Sequence, residues 1–216
     1  MAMTGSNISF EFFPPRTPEA VSRLETTRAR LAAYGPSFFS VTFGAGGSTR
    51  ELTLETVLAI RRATGIEAAP HISCLGTPIA DLRAVLRRYV DEGIKRVVAL
   101  RGDMPSGLTG FGELRYANEL VAFIRAETGR QFHIEVAAYP EFHPQAPSAK
   151  ADLANFKRKV EAGADSAITQ YFFNADAYFR FVDSVRALGV EIPIVPGIMP
   201  VTNFSQLARF SEMCGA

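Results

Sequence analysis

The sequence predicts an α/β protein, a (β/α)8 TIM-type barrel with about seven of its eight βα units present in 216 residues. Short apolar runs alternate along the chain with longer segments of helical periodicity, which is the pattern of a parallel sheet. A glycine follows each helical segment, and these glycines recur every 30 residues on average. No linker, low-complexity tract or change of composition interrupts the pattern, so we expect one domain over residues 1–216.

Seven runs are the candidate strands. Each is short, rich in β-branched or aromatic residues and almost continuously apolar, which is typical of parallel strands buried on both faces. The runs cover residues 8–12, 37–43, 67–73, 96–100, 132–138, 166–170 and 192–195.

Helices are expected between these runs. Glycine just beyond a helix adopts the left-handed conformation without steric cost, so seven glycines are predicted to follow helix ends. They are Gly35, Gly65, Gly93, Gly129, Gly163, Gly189 and Gly215. Thr17-Pro18 and Thr77-Pro78 each predict an N-cap followed by proline at the first helical position. The apolar residues of the third helix recur at helical spacing, at Val85, Leu86, Tyr89 and Val90.

An open, doubly wound sheet is the alternative architecture. Regular units of equal length along the whole chain favour the barrel. The chain stops at Gly215-Ala216, where an eighth strand would begin, so we expect a C-terminally truncated barrel. Its first and seventh strands would then be unpaired edges, which is a folding liability.

Composition excludes several classes of protein. Lys and Arg number 23 against 22 Asp and Glu, and a net charge of +1 leaves no electrostatic footprint for nucleic acid or an anionic membrane. Two cysteines without a CxxC spacing exclude a disulfide scaffold and fit the reducing cytoplasm. No apolar run approaches the roughly 18 residues that a transmembrane helix needs.

Polar and ionisable side chains stand where the predicted strands end. Barrel enzymes build their active sites at the C-terminal ends of the strands, so this distribution predicts an enzyme without naming its reaction. The six strand ends carry Glu11, Thr42, His71 with Ser73, Arg101-Gly102-Asp103, Tyr139 to His143, and Gln170.

Three common chemistries do not match the sequence. Residues 44–49 begin like a dinucleotide-binding glycine motif but carry Thr49 at the third glycine position. A Schiff-base aldolase needs a lysine at a strand end, where none of the lysines is predicted, and the histidines lack the spacing of zinc ligands. A flavin- or phosphate-binding barrel oxidoreductase and a catalytically inactive barrel acting as a binding partner both remain open.

Six motifs in this order resemble the methylenetetrahydrofolate reductase family in its bacterial form, which has a catalytic domain alone. Each is weak alone, but together they span essentially the whole chain. They are FEFFPP at 10–15, SVTFGAGGS at 40–48, LRGD at 100–103, AYPEFHP at 138–144, ITQYFF at 168–173 and PGIMP at 196–200.

The resemblance implies a flavoprotein oxidoreductase that binds FAD non-covalently. It implies a ping-pong reaction in which NADH or NADPH reduces the flavin, and 5,10-methylenetetrahydrofolate then takes the hydride to become 5-methyltetrahydrofolate. Glu11 matches the general acid of the family, and its aromatic neighbours Phe10, Phe12 and Phe13 are expected to raise its pKa by desolvation. Asp103 matches a catalytic aspartate beside the flavin that also contacts the pterin.

Cofactor positions carried over from the family fall on most of the strand ends and on one helix. Phe43 stands where the family often has tyrosine, so any contact through a hydroxyl is lost. The helix residues Asp152, Asn155 and Lys159 share one face, with Arg158 nearby, and match positions that bind the FAD ribose and diphosphate. The remaining positions are Thr42, Phe43, Ala45, His71, Arg101, Gly102, Asp103, Tyr116, Ala117, Tyr139, His143 and Ala146.

Substrate positions implied by the resemblance are Asp103, Gln170, Gln206 and Phe210. The family continues into an eighth unit with a substrate-binding arginine, which these 216 residues lack. No 2′-phosphate clamp is visible, so NADH is weakly preferred by analogy. A homo-oligomer is also implied by the resemblance.

Overall fold

The computed structural model describes residues 8–43, 49–102, 112–205, 207–208 and 211. Within these residues, strands and helices alternate, and each of the seven predicted runs contains one strand. The elements are β1 (Ser9–Phe12), α1 (Pro18–Ala32), β2 (Phe38–Val41), α2 (Arg50–Thr64), β3 (Ala68–Ser73), α3 (Ile79–Asp91), β4 (Arg96–Leu100), α4 (Ala117–Thr128), β5 (His133–Ala138), α5 (Ala149–Glu161), β6 (Ser166–Thr169), α6 (Ala175–Ala187) and β7 (Ile194–Val195).

The strands form one parallel sheet in chain order, β1 to β7. A doubly wound sheet would instead reverse its strand order at a switch point, so the open alternative is wrong. The register pairs Glu11 with Ser40 and Ser40 with Ala69, which puts these three residues on one face. Among the described residues, β1 pairs with β2 alone and β7 with β6 alone.

Both faces of the sheet are buried, but helices cover one face. The outer face contributes residues such as Phe39, Ile72 and Val97 to a core that also contains Val57 of α2 and Leu86 of α3. The inner face has a core of strand residues alone, built from Phe38, Ala69 and Val98 with Leu100 and Ile168 against it. A face that is buried without helices must be covered by the curvature of the sheet itself, as in a barrel. The described residues therefore show seven βα-type strands of the expected barrel and do not include an eighth.

Glycine conformations follow the predicted helix ends. The six predicted helix-end glycines that lie in the described ranges all have positive φ angles, from +59° at Gly129 to +116° at Gly163, as left-handed positions require. Gly215 lies outside the described residues. Each helix is therefore stopped by a residue that pays no steric penalty for the turn into the next strand.

One of the two predicted N-caps is correct. Thr17 accepts a hydrogen bond from the Ala20 N–H at 3.2 Å and begins α1. Thr77 does not cap α3, because its hydroxyl donates to the Ser73 carbonyl at 3.5 Å and Pro78 is the N-cap. The carboxylate of Glu113 instead accepts from the Ile79 N–H at 2.9 Å, which satisfies the first turn from a distant segment.

Nothing among the helices of the described ranges combines the length and apolar character that a membrane crossing demands.

Candidate active site

The carboxyl ends of the strands bring the predicted polar groups to one edge of the sheet. Because all the strands run parallel, residues that end one strand lie beside those that end the next. Glu11 is the penultimate residue of β1, while Thr42, Arg101, Tyr139 and Gln170 directly follow β2, β4, β5 and β6. This edge is therefore the candidate active site.

Glu11, Ser40 and His71 form a polar group on the inner face of β1, β2 and β3. Nε2 of His71 lies 3.2 Å from Oε2 of Glu11, and the Ser40 hydroxyl donates to the same oxygen at 3.4 Å. His71 and Ser40 are 5% and 3% exposed, so two buried side chains hold a carboxylate whose own side chain is 54% exposed. Nε2 makes no well-aligned hydrogen bond to a described residue, so the contact with Glu11 is a close polar approach.

The expected rise in the pKa of Glu11 is wrong. Burial raises the pKa of this carboxyl. The His71 contact and, to a smaller extent, the Ser40 hydroxyl lower it, and together they outweigh burial, so the net pKa lies below its usual value. Two of the three aromatic neighbours that the sequence suggested, Phe10 and Phe12, do not cover the carboxyl. Phe10 and Phe12 point to the outer face and contact Phe39, because alternate residues of a strand face opposite ways.

Arg101 joins the ends of β4 and β5. Its guanidinium donates to the Gln145 side-chain oxygen, and the Gln145 N–H donates to Nδ1 of His143 at 3.0 Å. The His143 ring meets the edge of Tyr139 with 4.6 Å between ring centres. Four side chains from two loops are thus interlocked over the carboxyl ends of these strands.

Two glycines let neighbouring strand ends approach closely. Gly102 has a φ of +85°, and a Cβ there would lie 2.9 Å from the Ser73 Cβ. A Cβ on Gly197 would lie 2.1 Å from the Thr169 carbonyl oxygen. Gly197 was part of a motif in the sequence but received no role there, because a close approach between β6 and the residues after β7 is invisible in local sequence.

The α5 side chains predicted for a diphosphate reach the end of β5. Asp152 accepts from the His143 N–H at 3.0 Å. The half-buried Lys159 donates from Nζ to the Ala137 carbonyl, and burial lowers its pKa to about 8 although Asp152 opposes that effect. No lysine was expected at a strand end, yet the long side chain of Lys159 brings an ammonium there from the helix. Arg158 is exposed and donates to Asn155 at 2.6 Å.

Gln170 lies beside a narrow crevice between the segments that follow β5 and β6. Tyr139, Glu141, Tyr171 and Phe172 also line this crevice. The Gln170 side-chain oxygen accepts from the Tyr171 N–H at 3.0 Å, which leaves its amide NH2 without a hydrogen bond to the described residues.

The other predicted cofactor positions surround the same edge. Phe43 is half-buried after Thr42, Tyr116 is exposed at the N-cap of α4, and Ala117 begins that helix. The Ala146 N–H donates to the His143 carbonyl at 2.8 Å. Four further positions lie outside the described residues: Ala45, Asp103, Gln206 and Phe210.

A second polar cluster, which sequence reasoning missed, lies inside the sheet where β4, β5 and β6 begin. Glu135 is 2% exposed and contacts the Arg96 guanidinium, His133 Nε2 at 3.3 Å and the Ser166 hydroxyl. Arg96 also stacks on Phe38, with its Cζ 4.4 Å from the ring centre. The available signal in the sequence was a charged residue, Glu135, inside the otherwise apolar run at 132–138. At the N-terminal end of a barrel such a cluster serves stability.

Fold and site together define a TIM-like α/β protein whose seven described parallel strands curl into part of a barrel, with ionisable side chains gathered at their carboxyl ends as in barrel enzymes. The family model of methylenetetrahydrofolate reductase matches residues 2–216, and the chain belongs to this family. The resemblance found in the motifs is thereby confirmed.

Relatives from bacteria and plants agree with this assignment. The chain is 47% identical over 207 residues to 5,10-methylenetetrahydrofolate reductase of Escherichia coli (strain K12), covering 96% of this chain and 69% of the relative. It is 42% identical over 219 residues to methylenetetrahydrofolate reductase (NADH) 1 of Zea mays, covering 95% of this chain and 37% of the relative.

Solved structures with low sequence identity share the fold. An uncharacterized protein from Clostridium thermocellum that binds two copies of 5-methyl-5,6,7,8-tetrahydrofolic acid superposes with a TM-score of 0.65 at 14% identity, covering 94% of this chain and 69% of that one. A phosphonopyruvate hydrolase superposes with a TM-score of 0.62 at 16% identity, covering 95% and 72%.

Proposed function

We propose that this chain is a flavoprotein oxidoreductase that reduces 5,10-methylenetetrahydrofolate to 5-methyltetrahydrofolate with NADH or NADPH through FAD. The observation that carries the proposal is the position of Glu11, a carboxylate held at the carboxyl ends of the strands by His71. It occurs in a chain 47% identical to a 5,10-methylenetetrahydrofolate reductase. The Clostridium thermocellum protein supports the substrate class only at the level of fold, since the same architecture accommodates a reduced folate there.

FAD fits the donor set at the ends of β4 and β5. Lys159 is a half-buried ammonium that donates to a backbone carbonyl and has no salt bridge among the described residues, and a diphosphate would supply a negative partner. Arg158 and Asn155 lie on the same helix within about one turn of Lys159, and they are proposed to bind the same diphosphate or the ribose. Thr42, Arg101 and His143, at the same edge of the sheet, are the proposed contacts of the flavin. When bound, FAD would supply the hydride chemistry, accepting a hydride from the nicotinamide and passing it to the methylene carbon of the folate.

Glu11 is the proposed proton donor. Opening of the folate imidazolidine ring requires a proton on the leaving nitrogen, and a carboxyl group at that point can deliver it. In the free chain His71 and Ser40 favour the carboxylate. A folate over the mouth would exclude water and raise the pKa of Glu11, so that the carboxyl carries its proton when the ring opens.

The remaining roles concern the substrate. Gln170 has an amide NH2 free of described partners and is proposed to hydrogen-bond a pterin edge. Asp103 is proposed to contact flavin and pterin, with Gln206 and Phe210 on the folate side. NADH is the preferred reductant, by analogy with the named cofactor of the maize relative. We also propose that the protein is cytoplasmic and forms a homo-oligomer. Sedimentation of the purified chain tests the oligomeric state.

A flavin spectrum under anaerobic conditions tests the function. The purified chain, reconstituted with FAD, is expected to show flavin absorbance that bleaches on titration with NADH and returns on addition of 5,10-methylenetetrahydrofolate. NADPH in a parallel titration measures the cofactor preference. Bleaching without recovery by the folate would favour another flavin oxidoreductase, and a chain that binds no FAD would favour an inactive barrel.

A further inference from the structure

Among the described residues, the carboxylate of Glu11 has two polar side-chain contacts, and both go to one oxygen. The Ser40 hydroxyl and His71 Nε2 each approach Oε2, at 3.4 Å and 3.2 Å. No described residue hydrogen-bonds Oε1. Within the described part of the chain, the carboxyl group is therefore held from one side, which leaves its second oxygen free to meet a substrate atom.

Nε2 of His71 has no other polar partner among the described residues. The residue is 5% exposed, and Nε2 makes no well-aligned hydrogen bond to any described residue. A buried polar atom without a partner is costly, so the arrangement is stable only if Nε2 gains from a nearby charge. Oε2 of Glu11, at 3.2 Å, is placed to supply it.

The strand register makes this pairing rigid. Glu11 is opposite Ser40, and His71 lies two residues beyond Ala69, the partner of Ser40, on the same inner face. All three side chains come from strands whose backbones are hydrogen-bonded to one another, rather than from loops. Sites built on strands hold their geometry better than sites built on loops.

We propose that His71 is a positioning residue for Glu11, holding Oε2 so that Oε1 faces the reacting nitrogen of the substrate, with Ser40 as the weaker second support. The catalytic part of this inference rests on the proposed function, whereas the His71–Glu11 coupling does not. The family resemblance gives His71 a flavin or nicotinamide contact, and the present role is additional to that contact.

Direct titration of Glu11 tests the coupling without any ligand. In the full chain labelled with 13C at the glutamate carboxyl groups, the Glu11 resonance is assigned by its loss in Glu11→Gln. We expect its pKa to rise in His71→Phe, because the buried partner of the charged form is gone while burial remains. His71→Gln, which keeps a donor near the Nε2 position, should restore part of the shift, and Ser40→Ala should raise the pKa by less.

A matched control comes from the other inner histidine. His133 lies 3.3 Å from Glu135 at the far end of the sheet, so His133→Phe should leave the Glu11 titration unchanged. A Glu11 pKa that is the same in wild type, His71→Phe and His71→Gln would overturn the proposal. If His71→Phe does not fold, His71→Asn replaces it in the test, because the shorter amide does not reach the Nε2 position beside Glu11.

Kinetics separate this inference from the proposed function. In the reconstituted enzyme, His71→Phe should slow the folate half-reaction by about 10- to 100-fold through misplacement of the acid, and should shift its pH profile in the direction of the Glu11 titration, whereas His71→Gln should restore part of both. A wild-type chain without folate reduction would refute the proposed function while leaving the titration result standing. An active enzyme with an unshifted profile in His71→Phe would refute the inference alone.

Discussion

Lys159 extends from α5 to the sheet, where its Nζ donates to the carbonyl of Ala137, the penultimate residue of β5. Its ammonium also lies 5.4 Å from the centre of the Phe156 ring. These contacts keep a cation at the carboxyl end of a strand without a direct salt bridge among the described residues. The arrangement suits an anion that arrives from solution.

Replacing Lys159 should weaken FAD binding. In Lys159→Met the stem is retained and the charge is lost, which removes one charge-assisted contact worth about 1.5–3 kcal/mol. Equilibrium binding of FAD to the apoprotein measures the change. Lys157→Met is the control on the same helix, because Lys157 pairs with Glu161 at 3.7 Å on the surface and should leave FAD affinity unchanged. Equal affinities in both variants would mean that the face is merely solvated.

FAD affinity should also fall as the pH rises through about 8. The pKa of Lys159 is lowered to about 8 by burial, so the free chain loses this positive charge at mildly alkaline pH. A bound diphosphate favours the charged form, and binding near pH 8 should therefore take up a proton. Calorimetry in two buffers of different ionisation enthalpy detects that proton, and Lys159→Met should abolish it.

Glu11→Gln should separate the two half-reactions. The amide keeps the size of the side chain but has no proton to give, so ring opening of the folate should slow by about 10²- to 10⁴-fold. Flavin reduction by NADH requires no proton on the folate and should proceed at nearly the normal rate. Stopped-flow absorbance in the flavin band follows each half separately. Equal slowing of both would make Glu11 a structural residue, and no effect on either would move the acid elsewhere, with Asp103 the next candidate.

Glu135→Gln should destabilise the fold. The substitution leaves the Arg96 guanidinium, 25% exposed, without its buried carboxylate, which should cost about 3 kcal/mol in the free energy of unfolding. Urea unfolding followed by circular dichroism measures the loss. Glu161→Gln removes an exposed ion pair and should change stability by less than about 1 kcal/mol.

The contribution of Glu135 to stability should depend on pH. Burial raises the pKa of Glu135, but hydrogen bonds from His133 and Ser166 and the charge of Arg96 lower it more, so the net pKa is below its usual value. The stabilisation is therefore complete above the unfolded-state pKa of about 4.3 and is lost as the pH falls through the lower folded-state value. Wild type should lose stability in this acid range more steeply than Glu135→Gln. Parallel curves would show that Glu135 does not couple folding to protonation.

Local features of the sequence were enough for the alternation of the elements. Short apolar runs and left-handed glycines are properties of a few neighbouring residues, and every predicted strand contains an observed one. Thr77 failed as a cap because a carboxylate from a distant segment, Glu113, took that role. A capping rule that uses only neighbouring residues does not predict that a carboxylate from another part of the chain will accept from the helix N-terminus.

The sequence by itself determined the family, the order of the strands along the chain and the identity of the polar groups at their ends. Tertiary structure alone decided which of those groups meet. His71 reaches Glu11 across β2, Lys159 reaches Ala137 from a helix, and Glu135 gathers its partners from three strands. The physical reason is that these contacts depend on strand register and on the reach of long side chains between residues far apart in the chain, whereas periodicity and capping record only near neighbours.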